Sequence, residues 1–392
     1  GFLEALAARA RALRAAGRPA DAMAAFAAVL DRRPDFAPAH VEIAECLLQQ
    51  GDLRGAAGRY ERALALRPDN ARTRFHLGQA LVLLGEYGRG WDELEWRFAA
   101  GAHAARRPFP QPDWPGPPLA GRGLLLWGEQ GVGDEILYAT MLPALAGEEG
   151  RVTVECDPRF VPLFARSFPA MTFVGKRPEP EPALRGDAFD FQCAVGSLGR
   201  FYRRGTGDFP AENAFLVPDP ALTARLRDDY RARAGDRTVV GISWRSKKDR
   251  LGLVKSSAIG DWGTLLRRRD LFFVNLQYGD CAAELAEAKD TFGAEIHQDP
   301  AVDPLADLDG FAAQVAAMGL VVTTSNATVH FAGALGRPCR LLLPANVWDL
   351  PWYWGAGGDR SLWYPSVRIL RMAKDEGWPG LVARAAAGIP AR

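Results

Sequence analysis

Apolar positions in the first hundred residues recur at helical spacing, and the whole pattern repeats every 34 residues, as Gly17, Gly51 and Gly85 do. Leu13, Leu47 and Leu81 share one position of the block; Phe26, Tyr60 and Leu94 share a second, and Leu30, Leu64 and Phe98 a third. A glycine separates the two helical runs of each block, and Pro34 and Pro68 close the first two blocks. Glycine permits the backbone of a tight turn, and proline cannot continue a helix. The pattern predicts three helix pairs, each burying its apolar face by stacking on a neighbour.

Proline then takes over, with Pro108, Pro110, Pro112, Pro115, Pro117 and Pro118 in a stretch expected to be a semi-rigid linker. Beyond it the period shortens. Apolar runs at 124–127, 152–156, 171–174 and 189–195 read as buried strands. After Pro218 and Pro220 the chain resets, with a helix at 222–233 and strands at 239–244, 272–277, 321–324 and 340–343. Helical patterns at 262–268, 282–288, 311–318 and 329–335 lie between them. A 34-residue helix-pair period is the signature of tetratricopeptide repeats. The expected fold is therefore all-α followed by α/β: repeats over 1–104 and a linker over 105–121, then Rossmann-like domains over 122–218 and 219–392, the second ending in a helix.

Charge narrows the function classes. Lysine plus arginine, 48, nearly balances aspartate plus glutamate, 47, so neither nucleic acid nor an anionic membrane surface is an expected partner. Cys46, Cys156, Cys193, Cys281 and Cys339 are scattered without metal-ligand spacing and read as reduced thiols. No run approaches the roughly 18 apolar residues of a membrane span, and the first residues lack a signal-peptide pattern. A cytoplasmic location is inferred from these patterns, in a chain that begins at Gly1.

Three stretches could carry chemistry. The first is Trp127-Gly128-Glu129-Gln130-Gly131-Val132-Gly133-Asp134-Glu135, a strand, a glycine-rich turn and a helix start. An acid at a helix mouth suits the helix dipole but repels phosphate, so this turn is a poor diphosphate cradle. Asp134 reads either as an N-cap or as a base aimed into a cleft.

The second stretch runs from Thr323 to Pro338. Thr324, Ser325, Asn326 and Thr328 precede or open a helix whose N–H groups can hold an anion. His330, about one turn in, reads as a donor to a phosphate oxygen or as a structural histidine. In the third stretch, Arg245, Lys247, Lys248 and Arg250 are followed by Lys255. Contact with phosphate is expected from at least one of Arg245, Lys247 and Lys255, against the alternative of a solvated loop. The aromatics Trp348, Trp352, Tyr353, Trp354, Trp363 and Tyr364 suit either sugar stacking or a core. No acid pair or histidine cluster suggests a metal.

Taken together, residues 127–143, 241–262, the run Phe273 to Asp280, the helix from His330 to Gly336, and Trp363-Tyr364-Pro365-Ser366 resemble the tetratricopeptide-repeat glycosyltransferases of bacteria. Those proteins are related to the GT-B lipopolysaccharide heptosyltransferases and similar in layout to O-GlcNAc transferase and repeat-bearing flagellin glycosyltransferases. The resemblance implies that Asp134 is the catalytic base, beside an acceptor-side turn of Gln130, Gly131 and Gly133. It implies donor binding by Arg245, Lys247, Lys255, Gln277, Thr324, Ser325, Asn326, Thr328 and His330. Ser325 stands where the family usually has aspartate, which argues against assuming a heptose donor.

The implied activity is inverting, metal-independent transfer of a sugar from a nucleotide-sugar to a Ser/Thr hydroxyl, without a cofactor. The repeats would hold a protein acceptor, with flagellin preferred on resemblance. A non-catalytic repeat scaffold with a degenerate transferase fold, and a lipopolysaccharide-type transferase, are the alternatives.

Overall fold

The computed structural model describes residues 2–102, 105–209, 211, 214–246, 252, 254–345 and 351–390, in two compact units. The first unit is helical: α1 (Phe2–Ala15), α2 (Pro19–Leu30), α3 (Ala37–Gln49), α4 (Leu53–Leu66), α5 (Ala71–Leu83) and α6 (Tyr87–Leu94). Gly17, Gly51 and Gly85 turn each pair with φ of +73°, +82° and +82°, the left-handed backbone that favours glycine. Asp52 accepts the Gly55 N–H at 2.8 Å, and Asn70 the Thr73 N–H at 3.0 Å, capping α4 and α5. Each such cap is worth about 1 kcal/mol.

The repeated apolar positions form the core. Phe26, Val29, Ile43 and Cys46 pack one cluster, and Leu48, Tyr60, Leu77 and Leu81 the next. Residues 202–208 and 351–357 belong to this unit as well. Arg204 holds Asp92 with two hydrogen bonds of 3.1 Å, and the Trp352 ring meets Trp91 edge-on at 5.2 Å. Trp352 and the buried Trp354 are therefore packing residues, which favours the core alternative for that part of the aromatic run. Trp348 lies outside the described residues.

The second unit holds two parallel sheets. The first comprises β1 (Gly123–Trp127), β2 (Arg151–Cys156), β3 (Thr172–Gly175) and β4 (Phe191–Ala194) in the order β3-β2-β1-β4. Its helices are α7 (Val132–Ala139), α8 (Leu142–Ala146), α9 (Val161–Ser167) and α10 (Gly199–Tyr202). The second sheet comprises β5 (Thr238–Ser243), β6 (Leu271–Asn275), β7 (Ile296–His297), β8 (Leu320–Thr324), β9 (Cys339–Leu343) and β10 (Val367–Arg371), ordered β10-β9-β8-β5-β6-β7. Its helices are α11 (Pro220–Ala234), α12 (Gly263–Leu266), α13 (Ala282–Phe292), α14 (Leu308–Ala316), α15 (Ala327–Ala334) and α16 (Trp378–Ala387). Repeats followed by two Rossmann-like sheets are the architecture expected of this sequence.

Strand order positions the site. In the first sheet the chain builds outward from β1 through β2 to β3, then returns to place β4 on the other side of β1. In the second it builds β5 to β7 on one side, then β8 to β10 on the other, with Val240 opposite Leu320 where the two halves meet. Ligands of such sheets bind beyond the strand ends where the order reverses. The turn after β1 and the turns after β5 and β8 lie at those two points.

The proline-rich stretch packs on the first sheet instead of spanning a gap. From Arg107 onward it belongs to the second unit, with Trp114 buried and its backbone N–H donated to the Gln192 backbone carbonyl at 2.9 Å. Arg107 grips the buried Glu155 with bonds of 2.8 and 2.6 Å. The two sheets are joined by side chains as well. Arg166 pairs with Asp309 through two hydrogen bonds, and Arg159 donates to the Leu305 carbonyl at 2.6 Å. Among the described residues no helix is long and apolar enough to cross a membrane, and all five cysteines are free and buried.

Candidate functional site

The turn after β1 brings Asp134 to the first turn of α7. Of the two alternatives for Asp134, the structure does not show the N-cap. Gly131 is the N-cap, and Asp134 is the third helical residue, its Oδ2 accepting the Gly131 N–H at 3.1 Å. The carboxylate thus meets an otherwise unpaired helix donor and remains half-buried. Gln130 precedes it with φ of +66°, unusual for a residue with a side chain, and its amide donates to the Tyr138 hydroxyl at 3.1 Å.

The neighbouring acids point inward. Glu129 is buried and accepts the Gly196 N–H at 3.0 Å. Glu135 is buried too, accepts the Asp157 N–H at 2.9 Å, and has its carboxyl pushed up to about 7, chiefly by burial. Of these three acids, Asp134 is the one that is not buried.

On the second sheet, side-chain amides hold the switch point in shape. The Gln277 Oε1 accepts from Ser243 Oγ at 3.2 Å and from the N–H groups of Trp244 and Arg245 at 3.0 and 2.9 Å. Asn326, the N-cap of α15, accepts the Thr328 N–H at 2.9 Å and donates to Ser243 Oγ at 2.8 Å and the Arg245 carbonyl at 3.2 Å. Thr328 donates to the Leu276 carbonyl at 3.4 Å, Ser325 is buried, and the buried Thr324 hydroxyl has no hydrogen-bond partner among the described residues. Gln277 therefore ties the end of β6 to that of β5, and Asn326 ties the end of β8 to that of β5.

The cations are distributed unequally. Arg245 is locked to Glu284 by hydrogen bonds of 2.8 Å from Nε and 2.8 Å from Nη2, and also donates to the Asp280 carbonyl at 2.6 Å. These bonds hold the guanidinium against α13. Lys247, with Lys248 and Arg250, lies outside the described residues. Lys255 is half-buried and close enough to His330 for its charge to act on the imidazole.

His330 joins the two halves of the site. Its Nδ1 lies 3.0 Å from the Tyr364 hydroxyl, and its other edge abuts the start of α7. A Cβ added at Gly133 would stand 2.8 Å from His330 Cδ2 and 3.2 Å from Nε2, so only a glycine admits the ring there. Gly333 does the same for the Tyr364 ring, which a Cβ would strike. Burial, with the Lys255 charge as a lesser cause, pulls the His330 pKa down to about 3, so the imidazole is neutral at ordinary pH. Tyr364 is fully buried and its hydroxyl is held well above its usual pKa by that burial and by the nearby Asp134 charge.

The two helix mouths differ in charge. The first turn of α7 carries Asp134 and Glu135, whereas that of α15 has no acid and is lined by hydroxyl and amide groups. The second suits an anion and the first opposes one. Sequence reasoning had no means of finding the Tyr364 contact, because 34 residues separate it from His330. In the first unit, a cavity of about 400 Å³ is lined by Arg14, Glu42, Glu45, Arg67, Arg72 and His76. It draws mainly on α1, α3 and α5, the first helices of the three pairs.

Residues 13–58 match the family described as tetratricopeptide repeat, and residues 44–85 the family described as TPR repeat. The chain is 34% identical over 390 residues to Protein FlbA of Caulobacter vibrioides, covering 95% of this chain and 64% of that protein's length. Among solved structures it is similar to the E. coli ADP-heptose lps heptosyltransferase II, at 13% identity and a TM-score of 0.45, over 65% of this chain and 92% of that one. It is also similar to the glycosyl transferase family 9 structure from Veillonella parvula, at 11% identity and a TM-score of 0.47, over 70% and 93%.

Proposed function

We propose that this chain is an inverting glycosyltransferase that moves a sugar from a nucleotide-sugar to a Ser/Thr hydroxyl of a protein acceptor held by its repeats. The observation that carries the reading is the meeting of two helix mouths of opposite character at Gly133 and His330, one bearing Asp134 and the other free of acid. Nucleophile activation and leaving-group stabilisation need those opposite environments side by side. Asp134 takes the proton of the acceptor hydroxyl as its oxygen attacks the anomeric carbon, and the bond to the nucleotide phosphate breaks with inversion. The mouth of α15, opened by Ser325 and held in shape by Asn326 and Thr328, receives the departing phosphate, and Lys255 and Lys247 offset its charge.

His330 enters this scheme as an uncharged N–H donor, because its imidazole is neutral. Arg245 and Gln277 support the binding turn, since their polar atoms are engaged within the fold. No resident metal or cofactor is called for. The cytoplasmic location and a flagellin acceptor belong to the same proposal, the latter on resemblance. Ser325 in place of an acid leaves the sugar to be identified by experiment.

Calorimetric titration with UDP, ADP, GDP and CMP, each with and without its sugar, tests the donor half of the reading. Saturable binding of one nucleotide is expected, and it should persist in Asp134→Asn. Absence of binding by all of them at millimolar concentration would favour a repeat scaffold.

A further inference from the structure

Tyr364 sits in the segment before β10, so it comes from a different part of the chain than either helix mouth, yet its hydroxyl lies 3.0 Å from His330 Nδ1. A fully buried phenol needs an acceptor for its proton. Nδ1 at 3.0 Å can be that acceptor only if the imidazole carries its own proton on Nε2. Nε2 is on the edge that faces Gly133, beside Asp134. The Lys255 charge also acts on this ring and disfavours a second proton.

We propose that Tyr364 is a positioning residue that donates its hydroxyl proton to His330 Nδ1, fixing the tautomer in which Nε2–H faces the first turn of α7. The glycines at 133 and 333 are part of the same device, since side chains there would displace the imidazole and the phenol respectively. The arrangement presents one neutral donor to an oxygen of the bound sugar-phosphate, at the point where the Asp134 carboxylate must not be neutralised by a cation. This role rests on the transferase reading, whereas the tautomer itself does not.

The test needs neither nucleotide nor turnover. Histidine-selective ¹⁵N labelling and long-range proton–nitrogen correlation at neutral pH report the tautomer, with His330→Gln assigning its signal among the five histidines. The expected result is an Nε2–H pattern in the native chain that becomes a mixture of tautomers in Tyr364→Phe. An Nδ1–H pattern in the native chain would overturn the proposal, and so would an unaltered Nε2–H pattern in a folded Tyr364→Phe. Should Tyr364→Phe fail to fold, the native spectrum alone still decides.

Discussion

The His330 ring lies against Gly133, with room between them for a hydrogen but not for a methyl group. The two residues are far apart in sequence and sit on helices of different sheets, so this contact registers one half of the second unit against the other. Gly133→Ala is therefore expected to destabilise the protein by about 1–3 kcal/mol through overpacking, despite the roughly 1 kcal/mol that alanine gains over glycine in a helix. Thermal unfolding of the variant measures it, and a raised melting temperature would show that the contact yields easily.

Two buried groups give opposite pH dependences. Glu135 has a folded pKa of about 7, above its unfolded value, so the folded state binds the proton more tightly and stability falls as pH rises from about 5 to 8. Glu135→Gln should remove roughly 2–3 kcal/mol of that decline while keeping an acceptor for the Asp157 N–H. Urea unfolding at pH 5 and pH 8 compares the slopes, and identical slopes would mean that Glu135 does not change protonation in that range.

His330 works in the other direction. Its folded pKa of about 3 lies below the unfolded value, so its contribution is fully present above about 6.5 and is lost as pH falls toward 3. At pH 5 the loss is on the order of 2 kcal/mol. The difference between the native chain and His330→Gln should therefore narrow on acidification, read by urea unfolding at pH 7 and pH 5.

Arg245 provides a test of support against direct contact. Its planar guanidinium is held by Glu284, with the Arg245 side chain 19% exposed, and lysine cannot reproduce the paired bonds. Arg245→Lys is expected to cost about 1.5–3 kcal/mol of stability, the range of hydrogen bonds to charged groups. Nucleotide affinity should change less than in Lys255→Ala, and titration of the two variants ranks them.

The repeat cavity should govern the acceptor alone. Arg67 and Arg72 are exposed at its lining, while Arg14 is paired with Glu42 at 3.1 Å. Reversing both charges in Arg67→Glu/Arg72→Glu is expected to raise KM for a protein acceptor without changing nucleotide binding. Equal kinetics on the protein acceptor would remove the repeats from acceptor recognition.

Periodicity made the repeats legible, because each 34-residue unit writes the same contacts again in the sequence. Buried strands such as 239–244 and 321–324 announced themselves as apolar runs. β7 has only two residues, and β10 reads Val367-Arg368-Ile369-Leu370-Arg371, with charges that interrupt its apolar run, so neither gave a strand signal. At the site, the residue types and strand ends were visible but their partners were not. Nothing local to Gln277 reveals that three donors from β5 and its turn converge on its carbonyl oxygen. The proline-rich stretch resembled a spacer because proline reports a break in helix, whereas Trp114 and Leu119 bury it against the sheet.

The most direct measurement is transfer by Asp134→Asn, followed by mass spectrometry of the acceptor protein alongside calorimetry of nucleotide binding. Loss of the general base should lower turnover by about 10²–10⁴-fold with nucleotide affinity unchanged. Turnover close to that of the native chain would contradict the assignment of Asp134 as the base.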